Sequence, residues 1–408
     1  MTIKGASIII KAIWLRITYR IALLKLRRVS KKRKLKAIFL ISEPSKWKSQ
    51  RLYDALLASK CYDPYVSPTI MDIGFLPEEE HQVKLEQCTN FFMKRGLRVL
   101  PATDAITHKP LPLIDLNPDM VFYQQPWGIA KCQMPDSVAS RALAFYVPYN
   151  IPCFAVHCHP FISPLGRLVY ASFIENEQWK RYCCKYAGWL RRPSNLVALG
   201  NPIREDIASG VAEKGLAKCV IYAPHWSFRH PGNVMSDNSS TFLQFGSEIL
   251  TFAKKHPEVK WIFKPHPCLG PRLVESGAMS KMEVETYYKE WETIGTASYD
   301  GNYIDLFYQS SAMITDSCSF LTEYAMTNKP IIRLVPKPDV EYAPPCKNMI
   351  STYYEVSDFA DMDKVFNDII IRGVDPKREI RLSRLKELGY NRNDISIQLL
   401  KFLDTIIR

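Results

Sequence analysis

Short apolar runs of three to six residues recur along this 408-residue chain, with helical or irregular segments between them. A strand buried on both faces of a parallel sheet has this composition, because helices cover both faces and leave no solvated side. The alternation of such runs with helices predicts an α/β fold with parallel sheets. The predicted strands are 37–42, 98–100, 120–123, 144–146, 168–171, 197–199, 219–222, 260–263, 313–315 and 330–334.

The chain is long for one hydrophobic core, since most domains contain about 100–200 residues. The strand pattern restarts after the small and polar segment 208–216, which we interpret as a hinge. Ligands bind at the carboxyl ends of parallel strands, so two Rossmann-like domains are expected to face a cleft that carries the site. The predicted division is a basic arm at 1–36, an α/β domain at 37–207, the hinge, and an α/β domain with terminal helices at 217–408.

The positive charge of the chain is concentrated at its start. The formal net charge is +13, and residues 1–36 contain 12 Lys and Arg but no Asp or Glu. The rest of the chain is almost neutral, with 42 basic and 41 acidic residues. A body of this kind has no electrostatic attraction for nucleic acid, so we expect none as a partner, and the arm predicts contact with an anionic surface.

Residues 7–29 have the pattern of an amphipathic helix. One stripe at helical spacing is apolar, and it consists of Ile10, Trp14, Ile17, Ile21 and Leu24. The cations are expected to share another stripe, and they are Lys11, Arg16, Arg20 and Lys25. Four cations disfavour both a spanning helix and a cleaved signal peptide. The pattern predicts a peripheral anchor on the cytoplasmic face of an anionic membrane, with a solvated basic helix or an RNA-binding arm as alternatives.

The 11 cysteines are an odd number, they are scattered along the chain, and they include no CxxC pair. This predicts reduced thiols in the cytosol rather than a disulfide framework. Cys153, His157, Cys158 and His159 form the densest group of possible metal ligands, but the usual zinc spacing is missing. We therefore expect neither a metal nor another cofactor.

The segment 313–330 predicts a phosphate site at the carboxyl end of a strand. Asp316 ends the apolar run, and Ser317 and Ser319 lie in the turn that begins a helix. Free N–H groups and two hydroxyls favour an anion there, although the same residues are common as simple helix caps. Glu323 lies one helical turn further and is a candidate acceptor for ribose hydroxyls, with a solvated helix face as the alternative.

Two other strand ends carry histidines. The run 261–267 delivers Lys264 and His266 between two prolines, so the imidazole is held with little freedom and is a candidate general base or cation for a phosphate. The run 220–230 ends in His225, which donors and an aromatic ring follow. In segment 200–206, Arg204 is a candidate for a bidentate phosphate contact or, alternatively, for a salt bridge.

Together these segments resemble the CDP-glycerol glycerophosphotransferases, the polymerases of teichoic acid and related capsule polymers. The resemblance rests on a YAP turn at 221–224, KPHP at 264–267, GxPxRxD at 200–206, TDxxSxxxEY at 315–324 and NKPII at 328–332. The N-terminal half is similar to bacterial relatives of that family at 44–64, 118–127 and 146–150.

The resemblance implies a fold of the glycosyltransferase B type with an acceptor-side N-terminal domain and a donor-binding C-terminal domain. It also implies a membrane-peripheral enzyme that transfers a polyol phosphate from CDP-glycerol or a related CDP-polyol to a surface polymer or lipid-linked acceptor, without an obligatory metal. His266 and the turn 316–319 would meet the donor pyrophosphate, with Arg204 nearby.

The tryptophan-histidine-glycine acceptor motif of the family is missing, and His157 and His159 are the only histidines near its place, so both are candidate catalytic residues. A glycosyltransferase or sugar-nucleotide epimerase that uses a UDP or CDP sugar, and a non-catalytic membrane-bound assembly factor, are the alternatives.

Overall fold

The computed structural model describes residues 3–70, 78–210, 218–228, 239–299 and 303–408. The chain forms two compact units, the first with residues 1–150, 158–205 and 394–408, the second with residues 151–157 and 206–393. Each unit contains one six-stranded sheet in which all described pairings are parallel. The predicted α/β class with two Rossmann-like sheets is therefore confirmed.

The α-helices in chain order are α1 (Ile3–Val29), α2 (Gln50–Ala58), α3 (Glu78–Lys94), α4 (Pro135–Val138), α5 (His159–Ile162), α6 (Pro164–Leu168), α7 (Glu177–Ala187), α8 (Ile203–Gly210), α9 (Phe242–Lys255), α10 (Leu269–Glu275), α11 (Lys281–Ile294), α12 (Ile304–Gln309), α13 (Cys318–Glu323), α14 (Pro344–Ile350), α15 (Met362–Phe366), α16 (Arg378–Glu387) and α17 (Ile395–Ile407). The strands are β1 (Leu35–Ile41), β2 (Tyr62–Pro68), β3 (Met120–Tyr123), β4 (Leu143–Tyr146), β5 (Ala171–Ile174), β6 (Leu196–Ala198), β7 (Cys219–Ala223), β8 (Lys260–Phe263), β9 (Thr296–Ala297), β10 (Ala312–Thr315), β11 (Ile331–Leu334) and β12 (Tyr354–Val356). Short 3₁₀ helices cover Pro44–Lys46, Leu113–Leu116, Lys131–Gln133, Ala155–Cys158, Trp189–Arg191, Tyr324–Thr327 and Phe359–Asp361, and a π-helical turn covers Asn367–Ile371.

The two units differ from the predicted division in three respects. The segment 3–36 packs into the first unit, residues 151–157 belong to the second unit, and the terminal helix α17 belongs to the first. Of the predicted hinge, residues 208–210 close α8, and residues 211–216 lie outside the described residues.

The first sheet has the order β2-β1-β3-β4-β5-β6. One of its faces carries a row of phenylalanines on neighbouring strands, Phe39, Phe122, Phe145 and Phe173, whose rings stack at centroid distances of 4.6, 5.2 and 6.0 Å. Phe402 of α17 packs edge-on against Phe173 at 5.5 Å. The C-terminal helix therefore closes the core of this unit.

Helix α1 has two apolar faces. One face is buried on the unit through Leu15, Tyr19, Ala22 and Leu26. The Tyr19 hydroxyl donates to the Leu168 carbonyl at 2.8 Å, beside α6. The opposite face is the exposed α1 stripe, which comprises Ile10, Ile13, Trp14, Ile17, Ile21 and Leu24, each 52–68% exposed.

The sequence pattern predicted that the cations of α1 share one stripe. In the structure they do not. Arg16 reaches back to the Tyr170 and Arg167 carbonyls at 2.8 and 3.3 Å, and Lys11 forms an ion pair with Asp136. Arg20 and Lys25 are exposed at the two borders of the α1 stripe. None of the described helices, α1 included, is long and apolar enough to cross a membrane.

The second sheet has the order β12-β11-β10-β7-β8-β9. Its core contains Trp261 and Trp291, both buried, and Phe263 stacks on Trp291 at 5.0 Å. The chain moves from β7 through β8 to β9 in one direction and then returns to β10 on the other side of β7. This reversal makes the carboxyl ends of β7 and β10 a topological switch point, where α/β sheets open a crevice for ligands.

Candidate functional site

Three neighbouring strands of the second unit end at the switch point. Strand β7 pairs in parallel with both β10 and β8. The segments that follow the three strands are 224–228, 264–268 and 316–319. They contain six of the residues singled out from the sequence for donor binding or catalysis, which are His225, Lys264, His266, Asp316, Ser317 and Ser319. The structure therefore assembles these residues at one sheet edge.

Asp316 is the hub that holds this edge together. Its Oδ1 accepts from the backbone N–H of His225 at 2.6 Å. Its Oδ2 accepts from the backbone N–H and the hydroxyl of Thr241 at 2.5 and 2.7 Å. Burial raises the pKa of Asp316 to about 6, against the opposing effect of these hydrogen bonds. A buried carboxylate with these contacts positions the loops after β7 and before α9, rather than facing a pyrophosphate directly.

His225 is buried between the hydroxyls of Ser227 and Ser239. Its Nδ1 lies 2.8 and 3.0 Å from their Oγ atoms and accepts from the Ser227 N–H at 3.3 Å. Its Nε2 lies 4.0 Å from the Cys318 sulfur, in the turn after β10. Burial holds the pKa of His225 well below its ordinary value, and His266 and His157 lower it further. His225 is therefore a neutral imidazole near pH 7.

His266 and His157 complete a histidine group around His225. The His266 ring lies 5.2 Å from the His225 ring and 5.9 Å from the Trp226 ring. His157 belongs to the same unit and contributes to the electrostatic environment of His225. The His225 and His266 rings therefore lie side by side at this edge, and His157 is near enough to act on His225 electrostatically.

The Nδ1 atoms of all three rings accept backbone hydrogen bonds. The Nδ1 of His266 accepts from the Cys268 N–H at 3.1 Å, and that of His157 accepts from the Cys153 N–H at 2.7 Å. An Nδ1 atom that accepts a hydrogen bond carries no proton in the neutral ring, so the proton lies on Nε2. In the neutral form each ring therefore carries its proton on Nε2.

The remaining residues predicted at this edge have different exposures. The Lys264 ammonium is buried and donates to the Tyr299 carbonyl at 3.1 Å. Ser317 caps α13 without a side-chain hydrogen bond to the helix and is 5% exposed, whereas Ser319 is partly exposed. Of the two serines, Ser319 is the better placed for a ligand.

Glu323 lies deeper than the sequence suggested. It is 1% exposed, and its Oε2 accepts from the Tyr303 hydroxyl. This contact joins α13 to the start of α12. The side chain is therefore neither on a solvated helix face nor at a position open to a ribose.

Arg204 and His159 belong to the first unit. Arg204 is 2% exposed and pairs with Glu175, Nη1 to Oε1, at 3.5 Å, which is the salt-bridge alternative of the sequence interpretation. His159 is exposed, and its Nε2 lies 2.8 Å from the Tyr186 hydroxyl. The candidate pair His157 and His159 is thus divided between the units, and only His157 joins the histidine group.

Sequence reasoning missed the residues that position the histidines. Ser239 and Thr241 contact His225 and Asp316, and they precede α9 as part of a Ser-Ser-Thr run. Such a run before an apolar helical pattern is a helix-start signal, but it does not tell which strand end it will meet. Arg229 and His230, which follow His225 in the sequence, lie outside the described residues.

Within the described ranges, no three His, Cys, Asp or Glu side chains lie close enough together to hold a metal ion. Cys153 and His157, from the sequence cluster considered for a metal, are joined instead by the backbone hydrogen bond described above.

The second unit matches a family model. The model is described as CDP-glycerol:poly(glycerophosphate) glycerophosphotransferase, and it matches residues 207–356. This range contains all six strands of the second sheet together with His225, His266 and Asp316. No curated protein matches the chain in sequence.

Solved structures share the fold over nearly the whole chain. A UDP-GlcNAc 2-epimerase from Neisseria meningitidis bound to UDP-GlcNAc has a TM-score of 0.56 at 11% identity, covering 91% of this chain and 100% of that one. The S. aureus MnaA bound to UDP has a TM-score of 0.54 at 12% identity, and the match covers 90% of this chain and 95% of that one. A histidine variant of the wall teichoic acid polymerase TagF has a TM-score of 0.55 at 10% identity, and the match covers 100% of this chain and 98% of that one.

Identities this low show the fold alone, and that fold is the predicted glycosyltransferase B type. The family match adds what the fold leaves open, because it falls on the unit whose strand ends carry the histidine group. Residues 207–356 are therefore similar to the CDP-glycerol:poly(glycerophosphate) glycerophosphotransferases.

Proposed function

We propose that this chain transfers glycerol phosphate, or a similar polyol phosphate, from a CDP-linked donor to a hydroxyl of a cell-surface polymer or lipid-linked glycan. The observation that carries the proposal is the histidine group at the carboxyl edge of the second sheet. A diphosphate needs several hydrogen-bond donors, and charge-assisted bonds of this kind are among the stronger ones in proteins. His266, which is partly exposed at its strand end, is the member of the group placed to supply an Nε2–H to such a ligand.

The reaction is a substitution at phosphorus. The acceptor hydroxyl oxygen attacks the phosphorus that carries the polyol, the bond from this phosphorus to the CMP oxygen breaks, and CMP leaves. Negative charge spreads over the phosphoryl oxygens as this occurs, and fixed donors stabilise it. His266 is the best candidate for this role, because two prolines flank it and its Nδ1 is anchored by a backbone N–H.

The ring tautomers argue against a general base within the histidine group. A neutral imidazole with its proton on Nε2 and its Nδ1 occupied has no lone pair to accept the proton of the acceptor hydroxyl. His266 is therefore assigned as a donor to the phosphate, and the base comes from another residue or from the acceptor side.

A transfer assay with labelled donors tests the activity. CDP-glycerol and CDP-ribitol are compared with UDP-sugars, and we expect transfer from a CDP-polyol with release of one CMP for each phosphate transferred. Turnover of a UDP-sugar would replace the proposal with a glycosyltransferase or epimerase activity. Thermal stabilisation by CDP-glycerol without turnover would favour a non-catalytic assembly factor.

We also propose that the enzyme binds peripherally to the cytoplasmic face of the cell membrane through the α1 stripe. Six large apolar side chains lie exposed along one helix face, with Arg20 and Lys25 at its borders. This arrangement is typical of helices that lie in the interface of an anionic bilayer. None of the 11 cysteines forms a disulfide bond, as is usual in a reducing compartment.

Point variants test the membrane proposal better than deletion of the arm, because deletion would uncover the side chains against which Tyr19 and Leu26 pack. Ile17→Glu is expected to weaken sedimentation with anionic vesicles, since it places a charge in the middle of the α1 stripe. Val83→Glu on α3 is the matched control, as Val83 is 53% exposed on another helix of the same unit. Equal loss in both variants, or no binding by the wild type, contradicts the proposal.

A further inference from the structure

The first sheet presents a second exposed aromatic and basic segment besides α1. Helix α7 begins at the Asn176 cap and ends at Gly188, whose φ of +75° turns the chain into the 3₁₀ helix Trp189–Arg191. Trp189 is 89% exposed, the highest value among the large exposed apolar side chains, and Arg191 and Arg192 are exposed beside it. We name residues 189–192 the Trp189 turn.

The sheet topology places the Trp189 turn at the amino-terminal edge of the first sheet. The turn lies between α7 and β6, so it precedes the start of that strand. Helix α1 contacts the same edge, because Arg16 and Tyr19 hydrogen-bond to the carbonyls of Tyr170 and Leu168, just before β5. In a parallel sheet the starts of neighbouring strands lie side by side.

One buried residue links the two features. The Arg167 guanidinium donates through Nη2 to the Arg191 carbonyl at 2.8 Å and through Nε to the Ile162 carbonyl at 2.7 Å. The carbonyl of the same Arg167 accepts from Arg16 of α1 at 3.3 Å. The Trp189 turn is therefore fixed to α6, on which α1 also packs, and the two have a set spacing.

Composition identifies the chemistry of the partner. Residues 178–204 contain six Lys and Arg and no Asp or Glu, and α1 with its C-terminal extension is equally free of acids. An exposed tryptophan beside two arginines combines an aromatic ring suited to the headgroup level with cations suited to lipid phosphates. Nucleic acid would also bind the cations, but its binding would not explain the six exposed apolar side chains of the α1 stripe.

We infer that the Trp189 turn is a second membrane contact and that, with the α1 stripe, it docks the amino-terminal edge of the first sheet on an anionic bilayer. This inference rests on the proposed membrane attachment and extends it from one helix to a two-point platform. Two contacts with fixed spacing set the orientation of the first unit, with the carboxyl edge of its sheet directed away from the bilayer.

Vesicle sedimentation with full-length variants tests the platform. The vesicles contain phosphatidylglycerol in phosphatidylcholine, with pure phosphatidylcholine as the neutral arm. Trp189→Ala and the double variant Arg191→Gln/Arg192→Gln are each expected to lower the partition coefficient about tenfold. The control is Trp127→Ala/Lys131→Gln, an exposed tryptophan and lysine that follow the carboxyl end of β3. It is expected to bind like the wild type.

Hydrogen exchange on the wild type supplies a second readout that does not depend on substitution. Vesicles are expected to slow exchange in residues 181–192 as well as in α1, and to leave residues 124–131 unchanged. Protection confined to α1, with unaltered binding by the Trp189 variants, overturns the second contact but leaves the proposed attachment intact.

Other outcomes act on the proposals separately. Absence of wild-type binding to anionic vesicles overturns the membrane attachment itself. Equal binding to neutral vesicles overturns the role of the arginines, and displacement from vesicles by single-stranded RNA at equal phosphate concentration overturns the choice of lipid. A melting temperature unchanged by Trp189→Ala is expected from its exposure, so a loss of binding reports the surface rather than the fold.

Discussion

The segments after β1 and β3 of the first sheet and those after β7 and β10 of the second lie at the carboxyl edges of their sheets but differ in side-chain chemistry. In the first sheet, the Ser42 hydroxyl after β1 donates to Gln125 Oε1 after β3 at 3.2 Å, and Gln124 Oε1 accepts from the Lys48 N–H at 3.4 Å. These buried hydroxyl and amide groups are neutral at every physiological pH. In the second sheet, the corresponding network is built on the ionisable carboxylate of Asp316, which accepts from the backbone N–H of His225.

This difference shows where the fold buries ionisable groups, which costs more free energy than burying neutral ones. Burying neutral amides costs little when they are hydrogen-bonded, whereas burying a carboxylate or an imidazole shifts its pKa. The second sheet keeps Asp316 with a pKa of about 6 and His225 neutral. Perturbed groups of this kind concentrate at functional sites. The first sheet also has one, the buried Glu175 after β5, whose pKa is raised by burial and which pairs with Arg204, so the contrast concerns the segments after β1 and β3.

The largest expected effect is on catalysis at the second edge. His266→Ala removes a fixed donor to the developing charge, so kcat for transfer from CDP-glycerol should fall by about 10²-fold or more. His266 is only partly buried, and the melting temperature should change little. Steady-state kinetics with calorimetry on the same preparation make the test.

His256→Ala is the matched control for His266. The His256 ring packs on Phe252 at 4.5 Å and its Nδ1 lies 2.8 Å from Glu258, away from the three strand ends. Its loss should lower stability without a specific kinetic defect. If His266→Ala instead retains near wild-type rates, or loses activity only in proportion to its unfolded fraction, the donor role is wrong.

The second prediction concerns the buried carboxylate of Asp316. Asp316→Asn replaces one oxygen by an amide that faces the N–H donors of His225 or Thr241, and an unsatisfied buried group costs about 1–3 kcal/mol in unfolding free energy. The pKa of Asp316 is raised from 3.8 to about 6 by burial. The stabilisation from its protonation is therefore complete below about pH 3.8 and is lost as pH rises through about 6.

Urea unfolding at about pH 5 and about pH 7.5 tests this sign. The stability advantage of the wild type over Asp316→Asn should be larger at the lower pH, because the variant has no group that titrates at this position. An advantage that grows with pH would mean that the hydrogen bonds outweigh burial and hold the pKa of Asp316 down.

Much of the fold was predictable because its strands are short and wholly buried. The strands predicted at 120–123 and 260–263 have the same first and last residues as β3 and β8. The prediction at 168–171 is wrong by three residues, since 164–168 form α6 and β5 begins at Ala171. The missed strand β2, Tyr62–Pro68, contains two prolines and an aspartate, which are rare in strands but are tolerated at the edge of a sheet.

The site was predictable as a set of strand ends but not as a network. Strand ends place His225, His266 and Asp316 together because parallel strands share an edge. The assignment of Asp316 to positioning and of Glu323 to the interior depends on Thr241 and Tyr303, which lie 75 and 20 residues away in sequence. No local pattern encodes such contacts. His157 is a similar case, because it joins the second unit from a segment flanked on both sides by the first.

A smaller effect is expected at the turn after β10. Ser319→Ala removes a partly exposed hydroxyl, and a lost bond to a charged group corresponds to about a tenfold rise in the dissociation constant of the donor. Ser317→Ala should have less effect, since that side chain is 5% exposed. Titration calorimetry with CDP-glycerol measures both variants. A larger loss for Ser317→Ala would reverse the order of the two hydroxyls.

The smallest expected effect lies at the hydroxyl and amide contacts that follow β1 and β3 of the first sheet. Gln125→Ala removes the acceptor of the Ser42 hydroxyl and the amide that donates to the Trp127 carbonyl at 2.9 Å, so it should cost about 1 kcal/mol of unfolding free energy. Because neither partner titrates, this cost should be the same at about pH 5 and about pH 7.5, unlike that of Asp316→Asn. A double-mutant cycle with Ser42→Ala isolates the pair, with an expected coupling of about 0.5–1.5 kcal/mol. A coupling that varies with pH would show that a charged group also acts on this pair.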